Sequence, residues 1–330
     1  MHSSDGKKAA KVLILFLIAA ALLLVLLDLM LYPCTFMRND IHAVTSEQQD
    51  LVILGTSNGK MDLDPDRIAG SVVRDGEPLR SGHNLCVGGE YPVDAYYITK
   101  LMAAENKPKL IVFEVDPGYF ATEKEPGNNY LLFHHEFPLS LAKLQYFADA
   151  MRNCDIRSAL FAPYEYSLLY EIPRVKETLT RKLTGDYDIS YFKGKAQEYH
   201  ENGFIERYPV EEENFASYDG FTFEGNEENL RRNTAYLSKL IAYCRAQDID
   251  ILAAVMPLPD VTLDRDPEQF ALAWEYFDAF FAEEGVDFYN FNTDYYNAYP
   301  HSTDLFADYD GHMNGDSARA FSQVFGHIIR

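Results

Sequence analysis

Apolar positions along this chain fall into two kinds of run. Short, nearly unbroken ones occur at Leu51–Leu54, Leu110–Val115 and Ile249–Met256, each stopped by a turn former: Gly55, Asp116-Pro117-Gly118 and Pro257. Runs of this length and bulk predict strands buried on both faces. Between them the spacing changes to that of helices. Val93 to Ala104 has apolar residues at helical intervals; Leu230, Leu237, Leu240 and Ile241 mark a helix over 229–246; further helices are expected around Phe270–Phe281 and from about Asn314 to Ile329, with a short strand at Val286–Tyr289. Strands alternating with helices give an α/β fold, a three-layer sandwich built on a mainly parallel sheet. In such sheets sites form where strands end, which is where Ser57, Asp116 and Pro257 fall.

Two stretches depart from this alternation. Val12 to Tyr32 is apolar apart from Asp28 and is long enough to cross a bilayer core. No small-residue cleavage pattern follows it, and proline at position 33 fits a lipoprotein signal at Cys34 badly. The segment therefore reads as an uncleaved anchor. Lys7, Lys8 and Lys11 before it put the N-terminus in the cytoplasm and the bulk of the chain outside, by the positive-inside bias. This gives a cytoplasmic tip and anchor at 1–32 and an extracytoplasmic domain at 33–330. The second departure is an aromatic-rich insertion at about 125–225, with modest helical pattern near Leu139–Met151 and Ile172–Leu183. Its tyrosines, Tyr130, Tyr164, Tyr166, Tyr170, Tyr187, Tyr191, Tyr199, Tyr208 and Tyr218, form either a secondary core or a lid that stacks on sugar rings.

A formal net charge of -22 excludes nucleic acid and anionic membrane surfaces as partners of the domain. Cys34, Cys86, Cys154 and Cys244 are scattered without metal-ligand spacing, which leaves room for one disulfide and none for a zinc site. His134-His135-Glu136 is metal-like in composition only, because adjacent residues rarely face one ion.

The candidate chemistry is nucleophilic. Ser57 sits in Gly55-Thr56-Ser57-Asn58 at the end of the first strand, and Asp308-Tyr309-Asp310-Gly311-His312 supplies an imidazole with two nearby carboxylates. A serine hydroxyl needs such a base, and the base needs a carboxylate to orient it. Asp308 and Asp310 flank the histidine equally well in sequence. Asn58 is either an oxyanion donor or a helix cap, and Asp116 either binds substrate or ends its strand.

These motifs together resemble the SGNH, or GDSL, hydrolases. Gly55-Thr56-Ser57 is similar to their first block, Asn84-Leu85-Cys86-Val87-Gly88-Gly89 to their second, and His312-Met313-Asn314 with Ser317-Ala318 to their last. The resemblance implies a flavodoxin-like three-layer fold, Ser57 as nucleophile, His312 as base and Gly89 as an oxyanion donor. It implies neither metal nor organic cofactor. The loop after the second strand, Asp116-Pro117-Gly118-Tyr119, lacks the family's further oxyanion asparagine, and Tyr309 stands where an aspartate is usual. Anchored variants of this kind are similar to the extracytoplasmic proteins that accompany membrane-bound O-acyltransferases, among them the D-alanine-transfer protein of teichoic-acid synthesis. The implied function is an esterase or O-acyltransferase acting on cell-envelope glycans or teichoic acids, partnered by such an acyltransferase. Two alternatives stand beside it: a non-catalytic glycan-binding or assembly component, and an α/β-hydrolase, whose G-x-S-x-G elbow the residues 55–59 also satisfy.

Overall fold

The computed structural model describes residues 2–32, 35–74, 76–124, 132–138, 140–151, 157, 173–184 and 192–329. Chain contacts divide the molecule into two units, one of residues 1–35 and 154–188, the other of 36–153 and 189–330. Each is described by itself.

The smaller unit contains helix α1 (His2–Leu31), within which Gly6–Met30 has a mean hydropathy of 3.1 and is long and apolar enough to cross a membrane. Its apolar side chains between Val12 and Leu26 are exposed rather than packed against protein. A helix from Pro173 to Thr184 lies against its C-terminal end, where the Lys182 ammonium donates to the carbonyls of Asp28 and Leu29 at 3.2 and 3.1 Å. That part of the aromatic-rich stretch thus belongs with the N-terminal helix. Tyr130, Tyr164, Tyr166, Tyr170, Tyr187 and Tyr191 lie outside the described residues, as do Cys34 and Cys154.

The larger unit is α/β. Its sheet contains β1 (Leu51–Leu54), β4 (Gly82–Asn84), β5 (Leu110–Glu114), β8 (Asp250–Val255) and β9 (Phe288–Asn290), in the order β4-β1-β5-β8-β9, all parallel. Two short antiparallel hairpins, β2 (Val73–Arg74) with β3 (Glu77–Pro78) and β6 (Gln197–Tyr199) with β7 (Ile205–Arg207), sit outside it. Counting the sheet strands along the chain gives 2-1-3-4-5, so the direction of winding reverses between β1 and β5. Loops leaving these two strands diverge and open a crevice at their carboxyl ends.

Every residue of β1 and β5 is buried, because helices cover both faces. Leu51, Ile53, Leu110, Val112 and Ala254 share a core with Ile68, Phe321 and Phe325. On the other face Phe113 meets Phe120, and Phe120 meets Phe277 at 4.9 Å between ring centroids. The expected helices are found at Pro92–Glu105, Glu227–Ala246, Pro267–Glu284 and Gly315–Ile328. The pattern missed Phe36–Ser46, a helix of mixed polarity, and β4, a three-residue edge strand too short to show any period.

Candidate active site

Ser57 begins the short helix Ser57–Asp62 that leaves β1, the serine helix. The turn between them is forced by its neighbours. Gly55 has φ +144°, and a side chain there would meet Glu114 Oε2 at 2.5 Å and Glu114 Cβ at 2.6 Å, so only glycine lets the two strand ends approach this closely. The Gly55 N–H donates to Glu90 Oε2 at 3.2 Å and the Thr56 N–H to Glu114 Oε2 at 2.6 Å. Two buried carboxyl groups thereby hold the backbone that presents the serine.

The far side of the serine helix is held as firmly. The Asn84 amide donates to the carbonyls of Gly59 and Leu63 at 2.7 and 2.8 Å, and its oxygen accepts from the Cys86 N–H. Lys60, only 1% exposed, donates to Asp40 Oδ2 and to the Asn84 carbonyl, both at 2.8 Å. Asp40 also accepts from the Tyr199 hydroxyl at 2.6 Å and bonds His83 at 2.9 Å, which compensates the burial of its charge. Asp62 accepts the Met313 N–H at 2.8 Å and so ties the serine helix to the residue after His312.

The C-terminal loop then brings its imidazole across. His312 Nε2 lies 2.8 Å from Ser57 Oγ, and His312 Nδ1 lies 2.8 Å from Asp308 Oδ2. Asp308 Oδ1 accepts the His312 backbone N–H at 3.2 Å, so the carboxylate grips ring and main chain together. The loop turns back on itself at Gly311, φ +97°, where any side chain would meet Leu258 Cδ2 at 2.5 Å. Burial works to raise the Asp308 pKa, but the bonds to His312 and the Arg207 guanidinium 3.7 Å away hold it below the usual carboxylate range. Asp308 stays ionised and fixes the tautomer that leaves Nε2 free to accept the serine proton.

Asp310 does not take that place. Its side chain lines the cleft, its carbonyl accepts from the Asn58 amide at 3.2 Å, and burial together with the charge of Asp308 raises its pKa. Asn58 is correspondingly not a helix cap: Thr56 stands at that position, and Asn58 ties the serine helix to the histidine loop, with its second amide hydrogen left over beside the cleft. Asp116 does cap the helix Pro117–Ala121, accepting the Gly118 N–H at 2.8 Å, and also faces the cleft. Gly89, expected beside the serine as an oxyanion donor, is not among the cleft-lining residues, whereas Tyr119 is.

The cleft itself has a volume of about 330 Å³ and is lined by Ser57, His312, Asn58 and Tyr119, with Tyr218, Phe221, Met256 and Phe270 as apolar wall. Its charged lining is acidic: Glu114, Asp116 and Asp310. Burial and the nearby Asp116 push Glu114 up to about 8, and burial raises Asp116 as well. Glu114, Glu90, Asp62, Lys60 and Tyr119 carry no signature in the sequence. Each is an acid, a lysine or a tyrosine with no motif about it.

His134 packs between Tyr146 and Phe147, and burial pulls its pKa down to about 3. Among the described residues no group of three His, Cys, Asp or Glu side chains is arranged to hold a metal. Cys86 and Cys244 are buried free thiols.

Compared with known proteins, the chain matches no family model and no curated sequence.

Proposed function

We propose that this protein is a membrane-anchored serine esterase or O-acyltransferase of the SGNH kind, acting outside the cytoplasm on O-acyl groups of cell-envelope glycans or teichoic acids. The observation that carries the reading is the unbroken relay Ser57–His312–Asp308, each link 2.8 Å long, opening on a cleft where the sheet winding reverses. The 2-1-3-4-5 order with helices on both faces supports the flavodoxin-like three-layer sandwich of that superfamily. The serine ends the first strand of the sheet and the aspartate and histidine share one loop, which favours this arrangement over the α/β-hydrolase elbow.

In the reaction so inferred, His312 Nε2 takes the Ser57 proton as Oγ attacks the acyl carbonyl carbon. Collapse of the tetrahedral intermediate breaks the bond to the alcohol oxygen, which leaves with the proton that His312 returns. The acyl group remains on Ser57. Water, or a sugar hydroxyl in the transfer case, then loses its proton to His312 while attacking the acyl-serine, and Ser57 departs with that proton restored. The apolar helix Gly6–Met30 supports anchoring, and the lysines before it support an external site. An external enzyme draws its acyl group from a polymer ester or from a membrane-bound acyltransferase partner.

A serine-reactive fluorophosphonate is expected to label the full-length protein in detergent at Ser57, and Ser57→Ala to abolish labelling. Equal labelling of the mutant overturns the assignment.

A further inference from the structure

Acyl transfer places negative charge on the carbonyl oxygen, and two or three aimed donors are needed to receive it. The Ser57 N–H, at the first position of its helix, is one, since the first donors of a helix have no partner within it. The second expected from the sequence, Gly89, is not among the cleft-lining residues. Tyr119, unlike Gly89, lines the cleft beside Ser57 and His312. It lies in the helix Pro117–Ala121 that follows β5, across the winding reversal from the serine.

We propose, on the basis of the esterase reading above, that Tyr119 is a catalytic oxyanion donor, its hydroxyl donating a hydrogen bond to the substrate carbonyl oxygen. A phenol hydroxyl has one proton to donate. Among the described residues no acceptor takes that proton. Burial and the charge of Asp116 raise the phenol pKa, which keeps it a neutral donor.

The ring is held in place from three sides. Its backbone N–H donates to the Asp116 carbonyl at 3.2 Å, and its carbonyl accepts from the Asn233 amide at 3.1 Å. That same amide also binds the carbonyls of Phe120 and Thr122. The Tyr91 ring abuts it edge to face at 5.4 Å, itself fixed through its hydroxyl to Glu123 and Thr122. A donor that is already fixed needs no reorganisation as charge develops.

Tyr119→Phe removes the hydroxyl alone. With p-nitrophenyl acetate, kcat is expected to fall by about 10²-fold while KM stays near wild type, the signature of a contact made only in the transition state. Fluorophosphonate labelling of Ser57 should still reach completion, at a slower rate. A kcat within a few-fold of wild type overturns the proposal, as does a fall in kcat accompanied by incomplete labelling and a lowered melting temperature, which marks a structural role. If the wild-type protein fails to label or turn over, it is the esterase reading that falls.

Discussion

Asp308 and Asp310 carry the same side chain two residues apart and face different surroundings. Asp308 uses both oxygens on His312 and has Arg207 nearby, whereas Asp310 lines the cleft and accepts the Asn58 amide on its carbonyl. Removing the charge at Asp308 leaves the imidazole with the wrong tautomer and nothing to stabilise its protonated form. Asp308→Asn is therefore expected to lower p-nitrophenyl acetate turnover by about 10²-fold or more, and Asp310→Asn to leave it near wild type. A loss in Asp310→Asn as deep as that in Asp308→Asn would show that the orienting carboxylate has been misassigned. Sequence offered both residues because each lies within reach of the ring along the chain. The turn at Gly311, φ +97°, decides between them.

At the scale of elements, the joint between the ends of β1 and β5 carries the site, and Glu114 closes it by accepting the Thr56 N–H. Glu114 is 1% exposed and titrates at about 8 against an ordinary 4.5. The folded protein thus holds this proton more tightly than the unfolded chain does. Its contribution to stability is full below about 4.5, falls as pH rises and is gone above about 8. Glu114→Gln keeps an oxygen to accept the Thr56 N–H and cannot ionise. Melting temperature measured across that window should decline less steeply with pH in the variant than in wild type. An unchanged slope would mean that Glu114 is already ionised in the folded state at neutral pH. The strands at this joint were legible in the sequence, since four or five bulky apolar residues in a row have no soluble alternative to burial. Their closing carboxyl was not: a glutamate inside an apolar run gives no sign of whether it faces water or a neighbouring N–H.

For the whole molecule the decisive question is which side of the membrane the cleft faces. Lys7, Lys8 and Lys11 ahead of the apolar helix predict, by the positive-inside bias, that those charges stay in the cytoplasm and the domain C-terminal to the helix is exported. Alkaline phosphatase fused after Arg330 in a bacterial host is expected to be active, because that reporter folds only where its disulfides form. An inactive phosphatase fusion alongside a fluorescent cytoplasmic reporter fusion would reverse the orientation and exclude envelope polymers as substrates.

The sequence by itself determined the apolar N-terminal helix, the alternation of buried strands with helices and the placing of Ser57 at a strand end, all properties of local period and composition. It also paired Ser57 with His312, through motifs at opposite ends of the chain. Only the tertiary structure decided the short edge strand β4, the choice of Asp308, the place of Tyr119 in the cleft beside Ser57, and the buried Asp40–Lys60 pair behind the serine helix. These depend on which side chains from distant segments meet in a region that excludes water. There an acid, a lysine or a phenol acquires its role from the partner opposite it, and no local pattern encodes that partner.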